Sequence, residues 1–491
     1  MKHPRRQSAF RLNKLGRAAG LLAAGLLAAL SCKSFVIDEN VYTGAASSRA
    51  GTTSTSTGGG SPSPAAGGSQ ARAGSSGANS ARGGGEVAEN GGESATGGMH
   101  ATGGGMHTTG GSGGSGGSSP LEPEIPEETF SKAAFLRQVA DCAVARYQDF
   151  EVHAVAFDEA AKANVAEPTD ATANAVRDAW LAANASWQVA ETFRFGPAAR
   201  SADEDPGAQE LRDQIYAWRF GGRCPVETAL VDKLYASASF GSSLINNRGL
   251  GAAEYLLFYP GSDNVCPSYS AINSKGTWAA LGGDETAARK RAYAAAVAAD
   301  VLKNTQKLLQ AWDPAGGNFR QKLTHPGSGS VYPNEQAALN AVWHGIFYVE
   351  KEVKDYKLGI PLGVSECVAG LCPESLESRF ANVSTANIRQ NYLGFRRLFQ
   401  GCGGNYTGLG FDDWLDAIGA SDLRGRMLTA LDGAQKAIDA LDPPLEVSIT
   451  QHTDRVWAVY NALKQLTDLL KSEFVSVLDL ELPAGAGSDN D

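Results

Sequence analysis

From Gly44 to Pro120 the chain runs for 77 residues in Gly, Ser, Thr and Ala with hardly an apolar side chain, and 25 of its 58 glycines fall there. Such a run cannot bury enough apolar surface to offset the conformational entropy of ordering it, so no compact structure is expected of it. Treated as a flexible coil it spans about 50 Å, from roughly 5–6 Å × √n. The run therefore divides the sequence. Residues 33–123 read as a disordered Gly/Ser-rich linker, and any fold lies in residues 124–485. Within the linker, Met99-His100 and Met106-His107 read first as a drifting low-complexity repeat, with weak copper binding as the alternative.

The segment before the linker has a different composition. Lys2, Arg5, Arg6, Arg11, Lys14 and Arg17 precede an apolar run from Ala18 to Leu30. A positive stretch followed by an apolar run of this length is a secretory signal, too short for a membrane span of roughly 20 residues. The run ends Ala29-Leu30-Ser31-Cys32, a small residue directly before a cysteine, as in a lipoprotein signal. Residues 1–32 are thus expected to be a signal peptide with Cys32 as the lipidated residue. Ala29 stands where such signals usually carry leucine, so ordinary cleavage beside Cys32 is the rival. The expected location is the cell envelope, at the outer membrane or in the periplasm, with the membrane as a partner through Cys32.

Apart from Cys32, six cysteines remain, an even number that suits disulfides in an oxidising compartment. Cys367 and Cys372 are close enough to close a small loop, and Cys224 with Cys266 could bracket a helical hairpin. No CxxC or CxxH spacing favours zinc. The net charge of −10 is diffuse, with no basic stripe beyond the signal, which argues against nucleic acid as a partner.

In the folded region the apolar spacing is helical throughout. Phe135, Val139, Cys142, Ala143 and Tyr147 follow the 3.6-residue period, predicting a helix over 130–157. A second is expected over 169–193 with Thr169 or Asp170 as N-cap. Further helices are expected over 245–258, 287–312, 334–356, 385–399, 414–441 and 445–480. Sustained β-type alternation is absent. Some 360 residues exceed one typical core, so the expected fold is all-α, with two packed helical-bundle subdomains.

Three stretches carry a resemblance when taken in order: AWLAANASWQVAETFRFGP over 179–197, RGLGAAEYLLF over 248–258, and WAVYNALKQLTDLLKSEFVSVLDLELP over 457–483. Lys357-Leu358-Gly359-Ile360-Pro361-Leu362-Gly363 and the NIRQNYLG run from Asn387 to Gly394 add to it. Together they resemble the imelysin family, the peptidase M75-like or insulin-cleaving membrane proteases. That resemblance implies a helical envelope protein associated with iron-linked uptake, with a GxHxxE signature. Histidine and glutamate at i and i+3 share one helical face and can reach one metal ion or water.

Here the signature falls on Gly249, Gly251 and Glu254, with glycine in the histidine's place. Glycine offers neither a ligand nor a base. The residual candidate pocket is Glu191, Arg194, Arg248 and Glu254: Glu254 sits at the margin of the stripe Leu250, Ala253, Leu257, and needs Arg194 or Arg248 as partner if partly buried. Glu254 is the remaining candidate metal ligand, for a divalent or ferric ion. The rival is a buried ion-pair network holding two helices in register. His344 falls six residues before Glu350, which is not a same-face ligand spacing, and eight before Glu352. No serine elbow, HExxH, P-loop or dinucleotide fingerprint occurs. The expected function is a non-catalytic metal (iron) or small-ligand binding protein linked to uptake, the alternatives being an M75-type metallopeptidase and a helical docking module.

Overall fold

A computed structural model describes residues 128–218, 222–367 and 370–483; the signal, Cys32, the linker and the Met-His repeat lie outside them. The first half supplies α1 (Lys132–Ala166), α2 (Asp170–Ala190), the short α3 (Leu211–Ile215), α4 (Arg223–Val231), α5 (Gly249–Phe258), a single turn α6 (Ala271–Ser274), α7 (Gly282–Trp312) and α8 (Phe319–Thr324). The second supplies α9 (Glu335–Ile346), a π-helix over Val349–Gly359, a turn α10 (Ile360–Leu362), α11 (Ser384–Gln400), α12 (Phe411–Ala417), α13 (Ser421–Asp439), α14 (Leu445–Gln451) and α15 (Thr453–Leu469). No β-strand occurs among the described residues, and no helix there is long and apolar enough to cross a membrane.

Two bundles result, as the length of the helical region requires. In the first, α1 packs against α2 and α7, and α5 fills in between α2 and α7. In the second, α15 packs against α13 and the π-helix, with α11 beside both. The bundles join where α2 lies along α11. The core is aromatic at its widest points, with Trp180, Trp187, Trp312 and Trp343 fully buried.

Local chemistry explains some helix starts. Thr169 caps α2 through a capping box with Thr172. Asn334 caps α9 by accepting from the Ala337 amide. Other expectations needed correcting. The helix expected over 169–193 stops at Ala190, and the following chain turns through Gly196 at φ 58° into Pro197. The expected 414–441 helix is two, broken where Gly419 takes φ 78°. The expected 334–356 helix changes from α to π after Phe347. The expected 245–258 helix is a 3-10 turn followed by α5, separated by the extended Arg248.

Three disulfides pin the fold: Cys142–Cys402, Cys224–Cys266 and Cys367–Cys372. The last two are the pairs that proximity suggested. The first joins α1 to the chain just after α11 and was not foreseen. Three such bonds suit an exported protein matured under oxidising conditions.

Candidate functional site at the junction of the bundles

At the start of α5, Gly249 adopts φ 78°, and a Cβ there would lie 2.6 Å from the Ile215 carbonyl oxygen, so glycine is required twice over. Gly251 is different. A Cβ at that position would meet Trp218 Cα and Tyr216 Cε2 at 3.8 Å, ordinary contact distances, so no crowding at the Cβ demands glycine.

Glu254 is more deeply set than the margin its spacing suggested, at 7% exposure. Neither expected arginine answers it. Its Oε1 accepts from the Phe380 and Ala381 amides at 2.8 and 3.2 Å, so it clamps the loop before α11 onto α5. Burial pushes its carboxyl up to about 7; the two amides oppose this, Glu377 adds to it, and Arg379 opposes it. Arg248 turns the other way, donating to Asp300 at 2.9 Å, to the Ser243 carbonyl at 3.0 Å and to Gln214, which fastens the α5 entrance to α7.

Glu191 lies at the centre of a buried polar network between the bundles. Its carboxylate accepts from Tyr348 Oη at 2.5 Å, Arg212 Nη2 at 3.1 Å and Asn391 Nδ2 at 3.2 Å. Lys357 Nζ, 3.4 Å from Glu191, also reaches Gln188 at 2.7 Å, Asn391 at 2.6 Å and Glu377 at 2.9 Å. Tyr216 donates to Glu377 at 2.5 Å. Burial first, then these carboxylates, raise Tyr216 and Tyr348 well above the ordinary tyrosine value, so both remain donors. Glu377 Oε2 is buried without a hydrogen-bond partner among the described residues.

Arg194, beyond the end of α2, diverges from Glu191. Its Nη1 donates to Glu352 at 2.8 Å and its Nε lies 3.4 Å from Asp203. It lines a cleft of about 320 Å³ with Arg200, Asp203, His344, Lys351 and Glu352. His344 and Glu352 thus share a wall, eight residues apart across the change from α9 to the π-helix. Of the other described histidines, His325 pairs with Thr324, His153 lies within α1 and His452 sits between α14 and α15.

The sequence reading missed Arg212, Tyr348, Glu352, Lys357, Glu377 and the amides. A signal existed for some. Asn184 and Gln188 on α2, and Asn387 and Asn391 on α11, each lie at i, i+4, marking a polar stripe on an otherwise apolar face. Lys357 opens the KLGIPLG run.

A metal ion at the signature would have only Glu254 and the orphaned Glu377 oxygen, while Lys357 and Tyr216 already hold the other oxygen of Glu377. Catalytic zinc takes three protein ligands and an open position. The described residues hold no group of three or more His, Cys, Asp or Glu arranged for a metal. These donors do not fit one.

Comparison with known proteins agrees with the fold. The chain is 24% identical over 261 residues to iron-regulated protein A of Synechococcus elongatus, an alignment covering 52% of this chain and 61% of that protein's length. A crystal structure of an iron-regulated protein A precursor from Parabacteroides distasonis superposes with TM-score 0.55 at 17% identity, covering 73% of this chain and 98% of the other. An imelysin-like protein from Psychrobacter arcticum superposes with TM-score 0.53, also at 17% identity and with the same coverages. These two likenesses concern the fold. The sequence pattern of imelysin, peptidase M75, matches residues 143–471, most of the helical region, and this chain belongs to that family.

Proposed function

We propose that this chain is a non-catalytic binding protein of the cell envelope, attached through Cys32 and working in an iron-linked setting. The carrying observation is the state of the signature. Gly251 supplies no ligand, and Glu254 is committed to two backbone amides that close one bundle on the other. A hydrolase of the M75 kind needs a water activated by a metal with three protein ligands, and this donor set supports no such centre. The name of the Synechococcus relative supports the iron-linked setting. The arginine-lined cleft supports binding as the retained activity, because concave sites with convergent polar groups are where small ligands are held.

The test is cleavage of an unfolded polypeptide by the full chain with zinc or iron supplied. The substrate should remain intact. Cleavage that a chelator stops, and that Glu254→Ala abolishes, would restore the peptidase reading. Calorimetric uptake of iron, copper or zinc that disappears in Glu254→Ala would restore the signature as a metal site.

A further inference from the structure

The cleft around Arg194 has a chemistry of its own. Its walls come from the turn after α2, the 200–203 segment, the end of α9 and the first turns of the π-helix. Arg194, Arg200 and Lys351 bring three cationic side chains to it, against the two carboxylates of Asp203 and Glu352. Both carboxylates stay ionised. Burial would raise Asp203, but Arg194 and Arg200 together hold it below its ordinary value. Glu352 is likewise pushed up by burial and brought below its ordinary value by Arg212, Arg194, Arg200 and Lys357.

Those carboxylates act as braces. Arg194 is 7% exposed, held by Glu352 at 2.8 Å, and its Nε–H has no hydrogen-bond partner among the described residues although Asp203 lies 3.4 Å away. Arg200 takes Asp203 at 2.9 Å while keeping 24% of its side chain exposed, and Lys351 keeps 29% exposed beside Asp355 at 3.2 Å. A guanidinium flanked by two partly exposed cations attracts negative charge. A bare metal cation would instead meet three positive charges and carboxylates already paired to them.

We infer that the cleft binds a small molecule bearing two or more carboxylates, either free or as its metal chelate, gripped by Arg194, Arg200 and Lys351. The inference rests on the binding-protein reading above. A spread set of carboxylates suits the site better than one phosphate, since a phosphate concentrates nearly two charges at one point facing Asp203 and Glu352, whereas separate carboxylates can each face a cation. About 320 Å³ lies at the lower end of small-ligand sites, which fits a molecule of this size.

The experiment is isothermal titration of the full chain with citrate, ferric citrate, inorganic phosphate and zinc chloride. Citrate in one form or both should bind, phosphate and zinc should not, and Arg200→Gln and Lys351→Gln should each weaken citrate by about tenfold, the loss of one charge-assisted contact. Equal affinity for citrate and ferric citrate assigns the free acid as ligand; a preference of tenfold or more for ferric citrate assigns the chelate. Arg194→Gln is a poor primary test because it strands Glu352 in the interior, whereas Arg200 and Lys351 are partly exposed, and the thermal melting of each variant is measured beside its affinity. Absence of citrate binding in both forms, phosphate binding as tightly, or unaltered affinity in both variants overturns the inference. Peptide cleavage would overturn the parent reading, whatever the citrate result.

Discussion

Glu254 shows how far one carboxyl can move from the role its sequence context implies. Counted along a regular helix it lies at the edge of an apolar stripe and invites an arginine. In the fold its Oε1 is held by two amides from a loop 126 residues away, and the two expected arginines, Arg194 and Arg248, are engaged elsewhere. The cost of charging it is large, which gives a pH dependence with a definite sign. Its folded value of about 7 lies above the unfolded value of about 4.3. The native state therefore binds a proton that the unfolded chain has released. Stability from this group is fully present below about pH 4 and is lost as pH rises through 7. Asp412, pushed up to about 7 by burial and then by Asp413, contributes in the same direction. Urea denaturation at pH 5 and pH 8 should thus show lower stability at pH 8. Glu254→Gln, which keeps the accepting carbonyl and cannot ionise, should remove roughly half of that difference, on the order of 2 kcal/mol. A variant whose pH slope matches the parent would show that Glu254 is not the titrating group.

At the scale of elements, helix existence was legible and helix continuity was not. The apolar period of α1, the Thr169 cap and the Ala-rich α7 were all visible because each depends on neighbours within one or two turns. The π-helix over Val349–Gly359 was not, because its register serves distant partners: it delivers Glu352 to Arg194 and Lys357 to Glu191, one side of the junction to the other. The same applies to the site. Gly249, Gly251 and Glu254 could be located from a local signature, but Arg212, Tyr348, Lys357 and Glu377 converge on Glu191 only through tertiary contact. The junction itself depends on close approach. At Gly394 on α11 a Cβ would lie 2.3 Å from Thr192 Oγ1 and 2.6 Å from the Val189 carbonyl oxygen. Gly394→Val should accordingly push α11 off α2 and cost about 1–3 kcal/mol, as overpacking usually does, whereas Gly433→Val, where a Cβ meets nothing within 4 Å, should be neutral or gain a few tenths of a kcal/mol, since valine is the better helix former. Equal losses at the two positions would mean that the α2–α11 approach carries no strain-sensitive packing.

For the whole molecule the question is what keeps two bundles acting as one body. Links that cross the junction include the α2–α11 contact, the hold of Glu254 on the Phe380 and Ala381 amides, the Arg194–Glu352 pair, the buried network around Glu191 and Lys357, and the Cys142–Cys402 bond. The disulfides differ sharply in what they constrain. Cys142 and Cys402 are 260 residues apart, so their bond restricts most of the unfolded chain, while Cys367 and Cys372 are 5 apart and restrict almost none of it. In the chain-entropy account the long loop contributes about 5 kcal/mol and the short one about 2 kcal/mol, both upper limits because denatured chains keep some structure. The paired substitution Cys142→Ala/Cys402→Ala should therefore lower the unfolding free energy by roughly twice as much as Cys367→Ala/Cys372→Ala. Its urea transition should nevertheless remain single, since removing the bond leaves the α2–α11 contact and the pairing of Lys357 with Glu191 and Glu377 in place. Far-ultraviolet circular dichroism and tryptophan fluorescence, followed through the same urea series, provide the check. Divergent midpoints from the two probes in the Cys142→Ala/Cys402→Ala chain would show that the disulfide, and not the buried charge network, couples the bundles.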